Sequence, residues 1–195
     1  MTLFIPGEHE TTFQEIANCL CKTFNGQYVF YMLERSNHTN RIAHSTHTEW
    51  QKKYVVEFVD NCHLFNTVKI AVEDRKLSAV VFPWIYLELN KKSHQYTEAC
   101  RREHGIYNGM SFGTRFSNFI EAFSVGGHKD EEDFFKKLSN VQPYLQSFKL
   151  KLREIVLSEM IARGWESTDI LKHAMTPHQN LTVIGNYQPK RSYFI

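Results

Sequence analysis

The sequence predicts an α+β fold, an α/β/α sandwich in which a central antiparallel sheet of about five strands is covered by helices on both faces. Three observations predict it. Helical periodicity recurs at the start, in the middle and at the end of the 195-residue chain, with β-type runs between. Four of those runs come in pairs separated by short polar segments, which is the chemistry of hairpins and therefore of antiparallel pairing. A composition of 42% hydrophobic and 14% aromatic residues, with fifteen Phe and nine Tyr, supplies a core for one domain without disulfides or a metal.

The elements follow in order. From Thr11 to Phe24, Phe13, Ile16, Ala17, Leu20 and Phe24 recur at helical steps, and Asn25-Gly26 turns the chain. "QYVFYMLE" is rich in β-formers, "SNHTN" is loop chemistry and "RIAH" is a short second strand, so a hairpin forms one edge. Thr46 with Glu49 reads as a capping box opening a helix on which Trp50, Tyr54 and Phe58 share one face. "LFNTVKIAVEDRK" makes a short helix, and "SAVVFPW" is a strand ended by Pro83, whose ring removes a ladder donor. Helix formers return from Leu87 to His104, and Gly105 is placed as a left-handed terminator.

"MSFGTRF" and "FIEAFSVGG" then read as two strands joined around Ser117-Asn118. Gly109 provides a close backbone approach, and Gly113 a bend or bulge. A helix begins in the stretch from Asp130 to Leu138, Pro143 marks a new start, and apolar spacing continues to Ile161 before Gly164. Strands flanked in this way by helices have the layout of PAS- and GAF-like sensor modules.

Several function classes are disfavoured. A formal charge of +2 leaves no electrostatic footprint for wrapping nucleic acid or docking on an anionic membrane. There is no signal peptide and no apolar run of membrane-spanning length, which points to a cytoplasmic protein. The four cysteines match neither a C-x-x-C redox pair nor a zinc ribbon, and the ten histidines lack ligand spacing, so neither a metal nor a cofactor is implied. No P-loop, dinucleotide fingerprint, nucleophile elbow or H-E-x-x-H motif is present, and a binding module rather than an enzyme is expected. The Trp50/Tyr54/Phe58 stripe reads as a core face when taken alone. With Trp84, it also provides large rings with polar tips that can anchor a mostly apolar ligand.

"STHTEWQKKY", "FPW" and "ACRREHGIYNGMSFGTRFSNFIEAFSVGG" resemble, in order and approximate spacing, the autoinducer-binding domain of LuxR-type quorum-sensing regulators, over roughly residues 10–160. The resemblance implies a cavity between the sheet and one helical layer that holds an amphipathic signal such as an acyl-homoserine lactone. It also implies transcription regulation through a homodimer or a heterodimer with a regulator. By that resemblance Trp50 donates its indole N–H to the ligand, Tyr54 and Trp84 pack on it, Ser124 contacts its amide region, and Gly109 keeps the wall thin.

Thr46 and Asn66 complete the expected ligand-binding set at two places where the chain departs from the family. Thr46 stands where many members carry a Tyr. Phe65-Asn66-Thr67 stands where the family's Asp-Pro accepts the ligand's amide proton. Losing that charge-assisted bond costs on the order of 1.5–3 kcal/mol for a ligand that needs it. An alternative reading is therefore a ligand-free interaction module that dimerises with, or inhibits, full-length regulators. Residues 1–163 are read as the sensor and 164–195 as a C-terminal helix and tail, a possible degenerate start of a DNA-binding domain. "KLREIVLSEMIARGWESTDILKHA" faintly echoes that domain's opening, but "NLTVIGNYQPKRSYFI" supplies no recognition helix, and direct DNA binding is not expected.

Overall fold

A computed structural model describes residues 8–59, 62–73, 77–131, 133–175 and 182–183. The elements are α1 (Glu8–Phe24), β1 (Tyr28–Arg35), β2 (Arg41–Ser45), α2 (Thr48–Lys53), α3 (His63–Glu73), β3 (Ala79–Pro83), α4 (Lys92–Glu103), β4 (Gly109–Phe116), β5 (Phe119–Gly126), α5 (Phe134–Asn140), α6 (Gln142–Ala162), α7 (Ile170–Ala174) and β6 (Thr182–Val183). A π-helical turn, Tyr54–Phe58, follows α2, and a 3₁₀ turn, Trp84–Tyr86, follows β3.

The sheet order is β2-β1-β5-β4-β3-β6. The first five strands pair antiparallel, as expected, and the two-residue β6 adds a parallel partner to β3. β4 and β5 form an unbroken hairpin from Gly109↔Gly126 to Phe116↔Phe119, turned by Ser117 at φ 49° and Asn118. That continuous register leaves no bulge at Gly113, one of the two alternatives expected there. The glycine instead admits α3, because a methyl there would meet Val68 Cγ1 at 2.1 Å.

Strand alternation divides the side chains into two cores. On β1, Val29, Tyr31 and Leu33 face one way with Phe112, Phe119, Phe123 and Val125, under α1 and α6. Tyr28, Phe30 and Met32 face the other way with Val80, Phe82, Ile120 and Ala122, under α2, the π turn and α3. Helices therefore cover both faces.

Local chemistry explains most boundaries. Gly105 has φ +76°, its N–H bonds to the Arg102 carbonyl at 2.9 Å, and the Ile106 N–H bonds to the Arg101 carbonyl at 3.3 Å. This double closure is the Schellman end of α4. Gly164 ends α6 the same way, with φ +69° and the Gly164→Ile161 and Trp165→Met160 bonds. Pro143 occupies the first turn of α6, where no N–H is needed.

Three expectations are corrected. Thr46 does not cap α2: its hydroxyl accepts the Val29 N–H at 3.0 Å, the helix begins at Thr48, and no side chain caps it. α4 begins at Lys92 rather than Leu87, because Lys91 is extended at φ −121°, ψ 145°. α5 begins at Phe134, later than the acidic stretch suggested. The C-terminal segment packs on the rest of the protein as far as Ala174, which is buried. The expected tail beyond it lies outside the described residues, apart from Thr182–Val183.

Candidate ligand-binding site

Between the sheet and the layer made by α2, α3 and α4 lies a cavity of about 40 Å³, room for a few water molecules. Tyr28 and Phe30 on β1 form its sheet wall with Ser111 on β4 and Ala122 and Ser124 on β5. Trp50 and Tyr54, Phe65 and Val68, and Trp84 close it from the helical side, and Glu98 and Arg101 close it from α4.

The aromatic stripe is arranged as its spacing predicts. Trp50 stacks on Phe58 at 5.7 Å and meets Tyr54 at 5.4 Å, and Tyr54 meets Phe30 edge-on at 5.8 Å. The π turn carries Tyr54 and Phe58, so the stripe continues across the change of helical pitch. Trp84 reaches the same space from the 3₁₀ turn, and its ring fits because Gly109 has no side chain: a methyl there would lie 2.7 Å from the ring and 2.3 Å from the Val125 carbonyl oxygen.

The polar tips pair with one another. Trp84 Nε1 donates to Ser111 Oγ at 2.8 Å, and Ser111 Oγ shares a 2.8 Å hydrogen bond with Ser124 Oγ, its direct cross-strand neighbour. Burial pushes the Tyr28 phenol well above its ordinary range, opposed by a hydrogen bond with Trp50. Burial likewise raises Tyr54 and the Cys62 thiol, which hydrogen-bond to each other. Burial thereby disfavours the Cys62 thiolate, the reactive form.

Charge enters from α4. Arg101 donates through Nε and Nη2 to Glu98 at 2.9 and 2.6 Å and through Nη1 to the Tyr107 carbonyl at 2.9 Å, while its guanidinium lies 4.3 Å over the Trp84 ring. At another point of the wall, His63 and His94 stack with ring centroids 4.7 Å apart. Burial first, and then the positive charge of Lys91, lower both below the usual histidine range, with Glu88 opposing this at His63.

Of the expected site residues, the structure brings Trp50, Tyr54, Trp84 and Ser124 to this cavity. Gly109 supports Trp84 and borders a separate depression with Ile85, Asn108 and Phe135. Thr46 is held by Val29, and Asn66, half-buried on α3, does not line the cavity. Sequence reasoning missed Ser111 and the Glu98–Arg101 pair. Ser111 shares the strand face of Gly109 and Gly113, so strand alternation held that signal; Arg101 lies four residues after the buried Thr97.

The opposite face of the sheet carries buried, paired charge. Glu121, fully buried, accepts from Tyr31 at 2.6 Å and from Arg153 at 2.8 and 2.7 Å, with Lys149 at 3.3 Å. Burial alone would raise its carboxyl, but Lys149 and Arg153 hold it down at about 2. His44 bonds to Glu10 and, at 2.8 Å, to Glu159, tying β2 to α1 and α6. Burial disfavours its charge, and the two carboxylates overcome this and raise it to about 9. No group of three or more potential metal-ligating side chains occurs among the described residues.

No protein-family model and no curated protein matches the chain. Solved structures do. The fold is similar to that of SdiA in complex with octanoyl-rac-glycerol, with a TM-score of 0.51 and 14% identity over 90% of this chain and 66% of that one. It is also similar to CepR2 of Burkholderia cenocepacia, an N-acylhomoserine lactone dependent LuxR family transcription factor, with a TM-score of 0.50 and 14% identity over 82% of this chain and 88% of that one. The chain thus spans just under two thirds of the SdiA chain. What is shared is the fold, and it is the fold that the sequence resemblance implied.

Proposed function

We propose that the chain is a small-molecule-sensing regulatory module that buries an amphipathic signal between the sheet and the α2–α4 layer. The observation that carries the proposal is the convergence of Trp50, Tyr54, Trp84 and the Ser111–Ser124 pair on one interior space. Large rings with a few polar tips suit a ligand that has an apolar body and a polar head. SdiA, similar in fold, holds octanoyl-rac-glycerol, and this supports the same class of occupant here.

An occupant of that size needs roughly 300–1,000 Å³ against the present 40 Å³, so Phe65 and the stacked His63–His94 pair move outward on binding. In this proposal the protein works in the cytoplasm as a homodimer or with a regulator, and filling the cavity changes how the module packs on that partner. In the same proposal residues 1–163 are the sensor and 164–195 the C-terminal segment that follows it. A bound ligand adds RT ln(1 + [L]/Kd) to stability. Thermal unfolding is measured with acyl-homoserine lactones, acylglycerols and fatty acids: a saturable rise supports sensing, and no rise with any of them sinks it.

A second reading is favoured by the small cavity and its self-paired polar tips: a ligand-free module that pairs with full-length regulators. It expects a stable complex with such a regulator in light scattering and no ligand-dependent stabilisation. A ligand-dependent rise with no complex removes it.

A further inference from the structure

We infer that the cavity selects an anionic amphiphile, a molecule with an apolar body and a carboxylate head, and that Arg101 receives the head. This rests on the sensing reading and specifies its ligand class.

The unused hydrogen-bond donors of Arg101 carry the inference. Its guanidinium is buried, at 5% exposure, and lines the cavity. Stacking 4.3 Å over the Trp84 ring fixes its plane. Its hydrogen bonds to Glu98 and to the Tyr107 carbonyl engage three of its five N–H groups. Glu98 is shared, because its Oε1 also accepts from Arg102 Nε at 2.8 Å. Two guanidiniums therefore face one carboxylate, and Glu98 is the one acid among the described residues that line the cavity. Arg102 is 58% exposed and its charge is met by solvent, so what the aromatic wall itself offers is the unused donor capacity of the buried Arg101 guanidinium.

A second carboxylate completes this arrangement. It takes the free N–H groups of Arg101, while Glu98 keeps Arg102 as a partner. Guanidinium–carboxylate bonds are charge-assisted and can form in pairs, and the low local dielectric strengthens them. A neutral head makes only ordinary hydrogen bonds there, and a cationic head is repelled.

The test uses the full chain and three probes with ten-carbon chains, all below their critical micelle concentrations near neutral pH: decanoate, 1-decanoyl-rac-glycerol and decyltrimethylammonium. Affinities are read by titration calorimetry. Decanoate is expected to bind about tenfold more tightly than the glycerol ester, the step expected between charge-assisted and neutral hydrogen bonds, and the ammonium most weakly. Glu98→Gln frees Arg101 and raises the decanoate-to-ester ratio, whereas Arg101→Gln abolishes the preference. Arg102 is 58% exposed, so Arg102→Ala keeps the fold and lowers the ratio even where Arg101→Gln fails to fold. An ester that binds as tightly as decanoate, or a ratio that falls in Glu98→Gln, overturns the anionic assignment and leaves the sensing reading standing. Failure of all three probes to bind overturns the anionic assignment, and it overturns the sensing reading as well when the acyl-homoserine lactones also leave thermal unfolding unchanged.

Discussion

Val68 on α3 occupies the space that a side chain at Gly113 on β4 would need: a methyl there would sit 2.1 Å from Val68 Cγ1, with Val80 Cγ2 at 3.1 Å. The cavity-side helical layer is therefore seated on the sheet at a position where one strand residue has no side chain.

Gly113→Ala is expected to destabilise the fold by roughly 2–3 kcal/mol through overpacking. Val68→Ala in the same chain recovers part of that loss. Gly109→Ala costs more and has no such rescue, since the nearest obstacle is the Val125 carbonyl oxygen at 2.3 Å, a backbone atom. Urea unfolding of the two single variants and the double variant checks this, and equal losses without rescue would refute the assignment.

Stability depends on pH through His44. Its folded pKa, about 9, lies above the ordinary value of 6.5, so its contribution is complete below about pH 6.5 and is lost as pH rises through 9. Denaturant midpoints measured across that window should fall for the wild type and stay flatter for His44→Gln. Glu10 and Glu159, both lowered despite burial because they bond His44, lose their contribution on the acid side, below the ordinary carboxylate value.

Glu121→Gln leaves Lys149 and Arg153 buried without their counter-charge and is expected to cost about 3–5 kcal/mol. The wild-type carboxyl titrates near 2, so its contribution is complete above the ordinary 4.5 and is lost as pH falls through 2. Acid unfolding followed by circular dichroism should show that last step in the wild type and not in the variant. Replacing Glu121, Lys149 and Arg153 together with Leu or Met should recover most of the loss.

Phe65 closes the cavity from α3 and is 6% exposed. Phe65→Ala should lower stability by about 3–5 kcal/mol and leave an enlarged interior. In differential scanning calorimetry, octanoyl-rac-glycerol should then raise the variant's unfolding temperature more than the wild type's. An equal rise in both proteins would show that Phe65 is not the plug.

The hairpin of β4 and β5 was legible because period-2 alternation and a two-residue polar turn act within a few residues of each other. α1 was legible from its apolar spacing, and the ends of α4 and α6 from Gly105 and Gly164. Thr46 misled because its hydroxyl serves a neighbouring strand, a tertiary partner that a local capping rule does not contain. The charged clusters escaped for the same reason: Glu121 finds Lys149 and Arg153 on a helix reached only after α5. A local trace did exist. Glu121 interrupts the apolar face of Phe119, Phe123 and Val125, while Lys149 and Arg153 sit four apart in the stripe of Leu145, Leu152 and Val156. At the cavity, Trp50, Tyr54, Trp84 and Ser124 were found by spacing and resemblance, whereas Asn66 was placed by alignment with an absent Asp and lies outside it.

β5 shows how one strand meets two demands. Glu121 and Phe123 point to the charged, tightly packed side, and Ala122 and Ser124 point to the cavity side. Because neighbouring residues face opposite ways, the lining can change residue by residue while the clamp beneath it stays intact. Substitution on the cavity side is thereby uncoupled from the integrity of the charged scaffold, and the lining can be altered while the sheet stays the same.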